Sequence, residues 1–340
     1  MSDARQDSRE PSAPVAVGVV GLGWWGRTLI AAIDDCPELN VIGAVVRSPD
    51  GVAWASERGL EVHVDLPALL EDSRAEAVII ATPNTVHCEL SVMAAVAGRH
   101  VFCEKPLGLT REEAVATVEA CRSAGVVLAV GHEIRFEPPV QEVLALARDG
   151  HLGQLVQFEA ILSHDLFTTL PEDHWRLSLA EAPGGPLTAT GIHMVDLSVA
   201  LLGRPTSANA HLHRPGATGT LSILATYAGG AHALIGASAV TPFHMRLAVY
   251  GTGGWAEAAA SPNPAGPGNV WTLTTSIGNV GRTTAEYLEE RGIRDNLGAF
   301  AAAVRGRAAY PMSETEMVDT IALMEAIVRS ADRGGATEAV

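Results

Sequence analysis

Apolar and polar positions follow two different patterns along the chain. Between residues 15 and about 134, short unbroken apolar runs such as "VAVGVV", "VIGAVV" and "AVII" alternate with longer stretches of helical spacing. Such runs predict strands buried on both faces of a parallel sheet, with the intervening helices covering it. After residue 135, runs such as "QLVQFEA", "GTLSILATYA" and "AHALIGASAV" follow one another with only Gly, Pro and polar turns between them. This second pattern predicts successive strands without intervening helices.

The fold class is therefore predicted to be α/β: a doubly wound parallel sheet, then an α+β domain with an open, largely antiparallel sheet. Ser313 and Glu316 form a capping box before the apolar i, i+3, i+4 spacing of "MVDTIALMEAIVRSA". We expect the helix that follows to pack back on the first domain. The predicted segments are a mobile tail over 1–14, the first domain over 15–134, the second domain over 135–312, and the closing helix over 313–340.

A glycine-rich turn follows the first predicted strand. Gly21, Gly23 and Gly26 form G-x-G-x-x-G between this strand and a helical stretch, which is the context of a dinucleotide-binding Rossmann fingerprint. Glycines there permit a tight turn and close approach of the backbone to a pyrophosphate, which the helix N-terminus attracts. Trp24 and Trp25 lie inside the motif, and at least one of them is expected to cover the cofactor or to pack beside it.

The end of the second predicted strand bears on the choice between NAD and NADP. An acidic residue at this point would hold the ribose 2′-hydroxyl of NAD. The chain has Val46, Arg47 and Ser48 instead, so no carboxylate repels a 2′-phosphate and a guanidinium is placed to bind one. We therefore favour NADP over NAD, and the alternative is that Arg47 is only a solvated side chain.

Three further motifs fall at the ends of predicted parallel strands, where ligands of such sheets gather. They are "TPN" at 82–84, "EKP" at 104–106 and "GHEIRF" at 131–136. Lys105 is the single lysine among 23 lysine and arginine residues. A lysine ammonium, unlike a guanidinium, can lose its proton when burial lowers its pKa. We expect Lys105 to point into the cofactor crevice and to take part in the reaction. The alternative is that the composition favours arginine throughout and that this one lysine remains by accident.

Charge and cysteine content exclude other classes of function. The formal net charge of -16 argues against a nucleic-acid partner and against an anionic membrane surface. The four cysteines do not have the spacing of metal ligands, and no pair of histidines has the spacing and neighbouring carboxylates of a metal site. No metal is therefore predicted. No apolar run reaches the roughly eighteen residues of a membrane span, and the first residues lack a signal-peptide core. A reduced, cytoplasmic protein is expected.

The motifs together resemble one family. G-x-G-x-x-G, A-T-P-N-x-x-H, E-K-P and V-G-H-x-x-R-F, followed by "GGPLTATGIHMVDLSVALLG", resemble in order and spacing the Gfo/Idh/MocA family of oxidoreductases. The resemblance runs from about residue 14 to the C-terminus. It implies a second domain that binds substrate and forms a homo-oligomer, a dimer or tetramer, through the open face of its sheet.

The resemblance also implies roles for single residues. Lys105 would be catalytic beside the nicotinamide, and His193 of G-x-H would be the proton acceptor. Arg135 would border the domain junction and the substrate. The remaining cofactor-binding residues that the resemblance implies are Gly21, Gly23, Gly26, Thr82, Pro83, Asn84, His87 and Glu104.

One departure concerns the reaction itself. The aspartate that the family commonly has four residues before the histidine is Ala189 here. Either the chemistry runs on Lys105 and His193 alone, or Thr188 or Thr190 supplies a neutral hydrogen bond. We also expect no carboxylate near Lys105, which would favour a lower lysine pKa.

A long connection precedes His193 and offers substrate contacts. Trp175 and Arg176 could bind a polyol with a flat ring and a bidentate donor, or Trp175 could simply pack the loop. Asp196, one helical turn after His193, is a further candidate for the substrate site: it could orient the imidazole, or it could only cap or solvate the helix. Additional candidates in the connection are His164, Asp165 and His174.

The predicted function is hydride transfer between NAD(P) and a secondary alcohol of a sugar, cyclitol or related polyhydroxylated ring. One alternative keeps the cofactor bound and cleaves a glycoside by transient oxidation and elimination, with no net redox change. Another is a dihydrodiol or hydroxy-acid dehydrogenase. A fourth is a cofactor-binding sensor whose catalysis has decayed, which the absence of an aspartate at Ala189 suggests and the retained Lys105 opposes.

Overall fold

The structure is a computed structural model that describes residues 13–213, 218–278 and 281–340. Most of the tail predicted over 1–14 therefore lies outside the described residues. Two sheets organise the rest of the chain, and the ligand-binding candidates lie where the two meet.

The first sheet has six parallel strands. They are β1 (Val15–Val20), β2 (Leu39–Val45), β3 (Glu61–His63), β4 (Ala77–Ile80), β5 (His100–Glu104) and β6 (Leu128–Gly131). The helices between them are α1 (Trp24–Asp34), α2 (Pro49–Glu57), α3 (Leu66–Leu70), α4 (His87–Val96) and α5 (Arg111–Ala124). The strand order is β3-β2-β1-β4-β5-β6, with every neighbouring pair parallel.

Burial of both faces explains the unbroken apolar runs. Along β4, Val78 and Ile80 belong to the core on one side of the sheet, whereas Ile79 belongs to the core on the other side. Leu29 and Ile30 of α1 contribute to this second core. The predicted doubly wound Rossmann domain is confirmed.

The second sheet has nine strands within the described residues. They are β7 (Leu155–Ser163), β8 (Pro205–His213), β9 (Thr220–Tyr227), β10 (His232–Ser238), β11 (His244–Gly251), β12 (Gly254–Pro262), β13 (Asn269–Ile277), β14 (Thr283–Tyr287) and β15 (Glu338–Ala339). Their order in the sheet is β14-β13-β12-β11-β7-β10-β9-β8-β15. Only β7 and β10 pair in parallel, so the predicted open, largely antiparallel sheet is confirmed.

Four α-helices of the described part of the chain lie before or between the strands of this sheet in sequence. They are α6 (Pro138–Arg148), α7 (Gly191–Leu202), α8 (Gly292–Val304) and α9 (Glu314–Asp332). Helix α7 packs on β7 and β10, and α6 packs on β12 and β13. The helix α7 is buried along nearly its whole length, from Gly191 to Val199, because the sheet lies on one side of it and α9 on another.

The predicted domain limits need one correction. Helix α8 falls within 135–312, the range assigned to the second domain, yet it packs on the first sheet and on α1. Its Phe300 lies edge-on to Phe102 of β5, with ring centroids 5.7 Å apart. The apolar face of α8, which includes Leu297, fits the core beside β1, so the chain returns to the first domain before it ends.

The closing helix α9 contacts both parts of the molecule. It packs on α5 of the first domain and also on α7 and β8 of the second. Its capping box is present: the Glu316 backbone N–H donates to Ser313 Oγ over 3.2 Å, and the Ser313 backbone N–H donates to Glu316 Oε2 over 2.8 Å.

Candidate active site

A cavity of about 540 Å³ opens between the first sheet and the second domain. The loops after β4, β5 and β6 line one side of it, and the connection between β7 and α7 lines the other. Lys105, His193, Glu104 and Glu133 all border this cavity. The carboxyl ends of parallel strands thus supply the site, as expected for this sheet type.

The glycine turn has the geometry of a dinucleotide loop. Gly21 has φ +96°, and a Cβ there would lie 2.5 Å from the Ala81 carbonyl oxygen. A Cβ at Gly26 would lie 2.0 Å from the Gly21 oxygen, so both positions require glycine. Gly23 is the N-cap of α1, and a Cβ at this position would meet nothing within 4 Å. The helix N-terminus therefore faces open space, which suits a pyrophosphate.

A second cavity continues from this turn toward the end of β2 and includes Val46, Arg47, Ser48 and Pro83. Arg47 is exposed and forms no hydrogen bond or ion pair within the described part of the chain. The Gly51 N–H donates to Ser48 Oγ over 3.1 Å, so Ser48 caps α2.

Acidic side chains also border the second cavity. Asp50 forms an ion pair with Arg27, and Asp65 caps α3 by accepting from the Ala68 N–H over 2.9 Å. Arg47 borders this cavity together with four carboxylates, those of Asp50, Asp65, Glu89 and Glu181.

The two tryptophans of the glycine turn differ in exposure. Trp24 is 61% exposed and borders both cavities, whereas Trp25 is half-buried at the edge of the core beside β1. Their ring centroids are 5.4 Å apart. Trp24 therefore lies over the mouth of the crevice, and Trp25 packs behind it.

His87 borders the crevice and also connects the loop after β4 to the loop after β5. Its Nδ1 lies 2.7 Å from the Pro106 carbonyl oxygen, and its Nε2 lies 3.0 Å from the Thr82 carbonyl oxygen. Burial lowers the pKa of this imidazole. Because Pro106 follows Lys105 directly, across a cis peptide bond, His87 fixes the turn that carries the lysine.

Lys105 crosses from the first domain to the second. Its Nζ donates to the Ala189 carbonyl oxygen over 2.9 Å. Burial lowers the pKa of the ammonium, the carboxylates of Glu133 and Glu104 oppose that change, and the Arg176 guanidinium adds to it.

The expectation that no carboxylate lies near Lys105 is therefore wrong. Glu104 precedes the lysine in the chain and is 5% exposed. Glu133 follows β6, which is the neighbour of β5 in the sheet, and it enters the same cavity. Burial raises the pKa of each carboxyl group above the usual range of a glutamate, and the charge of Glu133 raises that of Glu104 further.

His193 lies in the first turn of α7 and is 4% exposed. Its Nε2 is 3.6 Å from Glu133 Oε1, and its ring is edge-on to His132 with centroids 5.7 Å apart. Burial lowers the pKa of His193 well below the ordinary value, and the positive charge of Lys105 lowers it further. The imidazole is therefore neutral near pH 7 and able to accept a proton.

The two threonines beside Ala189 take different places. Thr188 borders the cavity. Thr190 is fully buried, and its Oγ1 lies 2.8 Å from His164 Nε2. Thr190 is thus linked to His164, which itself borders the cavity.

Arg135 and Asp196 form a buried ion pair with each other. The Arg135 guanidinium donates to both carboxylate oxygens of Asp196, over 3.0 Å and 2.8 Å, and to Glu316 over 3.2 Å. Arg135 is 3% exposed and Asp196 is 1% exposed, and neither borders the cavity. Their contacts with each other and with Glu316 join the loop after β6 to α7 and α9.

Trp175 and Arg176 border the cavity from the connection before α7. The Arg176 guanidinium lies 4.2 Å from the centre of the Trp175 ring. His174 accepts a hydrogen bond from the Arg176 backbone N–H over 3.2 Å and stacks on Trp175, so it shapes the loop. Trp175 thus both packs the loop and faces the cavity.

Glu181 belongs to no motif in the sequence and was not predicted as a site residue. Its carboxylate accepts from the Thr85 N–H over 3.0 Å and from the Thr85 hydroxyl over 2.6 Å. Its backbone oxygen accepts from the Asn84 side-chain amide over 2.6 Å. Glu181 borders both cavities, so the connection before α7 is tied to the loop after β4 across the crevice.

A possible metal-binding group lies elsewhere, at the edge of the first sheet. The ligand atoms of Glu61, His63 and Asp72 lie within 4.8 Å of one another. The Arg74 guanidinium already donates to Glu61 over 2.5 Å and to Asp72 over 2.6 Å, so the two carboxylates already share a cation. Separately, no helix in the described ranges combines the length and apolarity needed to cross a bilayer.

Family models match both parts of the chain. A model of an oxidoreductase family with an NAD-binding Rossmann fold matches residues 15–132. The Gfo/Idh/MocA C-terminal domain model matches residues 140–257.

Similar proteins include curated enzymes and solved structures. Levoglucosan dehydrogenase of Pseudarthrobacter phenanthrenivorans is 30% identical over 231 residues, 63% of this chain and 59% of that protein. The 2,7-anhydro-N-acetylneuraminate hydratase of Escherichia coli is 36% identical over 139 residues, 41% of this chain and 37% of that protein. The matched stretch is thus less than two thirds of either relative. A levoglucosan dehydrogenase structure with NADH and levoglucosan has a TM-score of 0.80 at 22% identity and covers 96% of this chain and 99% of its own, which shows a common fold.

Proposed function

Since this chain belongs to the Gfo/Idh/MocA family of NAD-binding oxidoreductases, we propose that it interconverts a ring alcohol and its ketone. The substrate class is a sugar, cyclitol or related polyhydroxylated ring. The proposal rests above all on the position of Lys105 and His193, which border one cavity at the end of the dinucleotide crevice. A nicotinamide cofactor bound in that crevice accepts or returns the hydride.

The described residues fit such a cofactor. Gly21 and Gly26 make the tight turn, and the open space at Gly23 admits the pyrophosphate at the start of α1. The crevice runs from Arg47 at one end to Thr82 and Trp24 at the other. From there it is continuous with the cavity of Lys105, because Trp24 and Thr82 border both cavities.

Lys105 is proposed to hold the reacting oxygen. One of its three possible donors is used by the Ala189 carbonyl oxygen. The remaining donors can bind the alcohol oxygen and stabilise negative charge that develops on it. Because the ammonium lies in a buried site, this interaction is stronger than it would be in water.

His193 is proposed to exchange the hydroxyl proton. The neutral imidazole accepts the proton when the alcohol is oxidised and returns it when the ketone is reduced. Its lowered pKa keeps the accepting form populated at neutral pH. Trp175 and Arg176 are proposed to bind the ring of the substrate through its flat face and its hydroxyl groups.

The experiment that tests this proposal measures absorbance of the reduced nicotinamide. Purified protein is mixed with NAD or NADP and a panel of sugars, cyclitols and dihydrodiols. We expect reduction of the cofactor with at least one ring alcohol. Tight cofactor binding with no turnover on any panel member would contradict the dehydrogenase and favour a binding protein.

We further propose NADP as the preferred cofactor. Arg47 is exposed, borders the crevice and has no partner in the described ranges, and no carboxylate follows β2 directly. Asp65 in the same cavity opposes this preference. Titration with NADPH and NADH should give tighter binding of NADPH, and Arg47→Ala should remove the difference. Tighter NADH binding by the unchanged protein would reverse the assignment.

A redox-neutral reaction is the second candidate. Glu104 and Glu133 have raised pKa values, so each can hold a proton at higher pH than an ordinary glutamate. Such an acid could protonate a leaving group after transient oxidation of the ring. Release of product without net change in nicotinamide absorbance would identify this reaction, and stoichiometric reduction of the cofactor would exclude it.

We propose that the chain forms a homo-oligomer through the open face of the second sheet. Ala233 and Ile235 of β10 point toward the helices and are buried, whereas Leu234 between them is 44% exposed. Leu234 pairs directly with Leu224 of β9, which is 40% exposed. Ile161 of β7 lies beside Gly236 on the same face. This apolar patch supports a symmetric contact between two copies.

A further inference from the structure

Position 189 contributes only backbone to the candidate active site. Ala189 accepts a hydrogen bond from Lys105 Nζ through its carbonyl oxygen, over 2.9 Å. Its methyl side chain offers no acceptor to a substrate hydroxyl. The question is therefore which group beside Lys105 can accept a proton or a hydrogen bond from the substrate.

Glu133 has the required chemistry and an unused oxygen. It is the first residue of a short 3₁₀ helix, Glu133–Phe136, directly after β6. Its Oε1 lies 3.6 Å from His193 Nε2. Its Oε2 is buried and has no hydrogen-bond partner in the part of the chain that the structure describes. Buried carboxylate oxygens nearly always accept a hydrogen bond, so this oxygen is expected to have a partner when the site is in use.

Lys105 and Glu133 influence each other without touching. No ion pair joins them within the described residues, yet Glu133 is the carboxylate that most raises the pKa of Lys105. Lys105 in turn is the group that most lowers the pKa of Glu133. The space between them is part of the cavity. A hydroxyl group there could accept from the ammonium and donate to the carboxylate at once.

We propose that Glu133 supplies the carboxylate that position 189 lacks, and that it binds a substrate hydroxyl between Lys105 and His193. This inference rests on the proposed function for the identity of the substrate. In the oxidation direction the alcohol O–H bond breaks and its proton passes to His193. The C–H bond breaks with transfer of a hydride to the nicotinamide. The imidazolium so formed is stabilised by Glu133 Oε1, and a hydroxyl of the ring is held by Glu133 Oε2.

A neighbouring glutamate serves as a matched control. Glu137 is also buried and its pKa is raised to about 7, mainly by burial. Its carboxylate accepts from the backbone N–H groups of Arg291 and Gly292, over 3.2 Å and 3.0 Å, at the start of α8. The charged and titratable groups around Glu133 are Lys105, Glu104, Glu137, His193 and Asp196. Glu137→Gln removes a carboxyl group from the lining of the same cavity without touching the proposed contact.

The single lysine makes the first test direct. Protein grown with lysine labelled at Cε gives one resonance, and its shift against pH gives the pKa of Lys105. Glu133→Gln should lower that pKa by about one unit or more, Glu133→Gln with Ala189→Asp should restore it, and Glu137→Gln should leave it unchanged. Ala189→Asp alone should raise it. An unchanged Lys105 pKa in Glu133→Gln would overturn the inference, and this measurement needs no substrate.

Kinetics supply the second test, with any ring alcohol that the panel identifies. Glu133→Gln should lose about 100-fold in kcat/KM, with the NADH or NADPH dissociation constant within twofold of that of the unchanged protein. Adding Ala189→Asp should recover at least tenfold of that loss. Unchanged kcat/KM in a folded Glu133→Gln variant would overturn the inference. A shifted Lys105 pKa in a protein that turns over no ring alcohol would instead contradict the proposed function while leaving the carboxylate assigned to Glu133.

Discussion

The Nζ atom of Lys105 donates a hydrogen bond to the carbonyl oxygen of Ala189 over 2.9 Å. Lys105 lies at the end of β5 in the first sheet, and Ala189 lies just before α7 in the second domain. This contact therefore sets the lysine relative to His193, four residues after Ala189. The position of the ammonium depends on how the two domains meet as well as on the E-K-P turn.

The first prediction concerns Lys105→Met. The variant lacks the donors proposed for the reacting oxygen, so kcat should fall by at least about 100-fold. The dissociation constant of the cofactor should stay within about twofold, because the lysine lies at the substrate end of the crevice. Lys105→Arg should also be inactive, since a planar guanidinium does not replace a compact ammonium. Stopped-flow absorbance and a fluorescence titration check both quantities, and normal turnover by Lys105→Met would remove the lysine from the mechanism.

The second prediction is a pH profile for alcohol oxidation. The accepting form of His193 is lost only as pH falls through its lowered pKa, so the acid limb should lie below the ordinary histidine value of 6.5. The ammonium of Lys105 is lost as pH rises through its own lowered pKa, so the alkaline limb should lie below 10.5. Rates of cofactor reduction at saturating cofactor give the profile. An acid limb at or above 6.5 would contradict the neutral imidazole.

The third prediction distinguishes a structural role of Asp196 from a role in substrate binding. Asp196→Asn removes the charge that pairs with buried Arg135, and breaking such a pair typically costs about 3 to 5 kcal/mol. Urea unfolding should show this loss, whereas the KM for the ring alcohol should stay close to that of the unchanged protein. A raised KM with unchanged stability would instead return Asp196 to the substrate site.

The fourth prediction tests the contact of Glu181 with the loop after β4. Glu181→Ala removes the two hydrogen bonds that Thr85 donates to its carboxylate. At about 0.5 to 1.5 kcal/mol each, their loss should weaken cofactor binding by about 5- to 100-fold and speed cofactor release. Glu172→Ala, an exposed glutamate in the same connection, is the control and should bind as the unchanged protein does. Equal release rates in both variants would show that Glu181 does not close the crevice.

The fifth prediction concerns the open face of the second sheet. Leu234→Arg places a charge in the apolar patch beside Leu224, where a like charge from the second copy would repel it. Analytical ultracentrifugation should show an oligomer for the unchanged protein and a monomer for the variant, with similar thermal stability. Ser123→Arg, at an exposed polar position of α5 in the first domain, controls for added charge away from this face. The same mass for the unchanged protein and Leu234→Arg would place the contact elsewhere.

Local patterns in the sequence were sufficient for the fold and for part of the site. The strand, turn and helix around Gly21 are contiguous, so the motif alone predicts the backbone conformation that the structure has. Lys105 stands out because it is the single lysine, and the strand that precedes it predicts its place in the crevice. The resemblance of the motifs to a known family also identified His193. The roles of Lys105 and His193 stay predictions.

Contacts between segments that are far apart in the sequence could not be predicted from local patterns. Arg135 and Asp196 are 61 residues apart, and their ion pair exists because the loop after β6 meets α7. Glu181 and Thr85 are 96 residues apart. Glu133 was part of the quoted "GHEIRF" motif, but its direction depends on the 3₁₀ turn after β6 and on β6 lying beside β5. The return of α8 to the first sheet likewise depends on tertiary packing.

Lys105 is proposed to act on a ring alcohol beside a bound nicotinamide. One experiment compares the unchanged protein with Lys105→Met in the panel of sugars, cyclitols and dihydrodiols, with cofactor binding confirmed for both. We expect the unchanged protein to reduce NAD or NADP with at least one ring alcohol, and we expect the variant to bind the cofactor without reducing it. Equal rates in the two proteins, or no reduction by either one, would contradict this proposal.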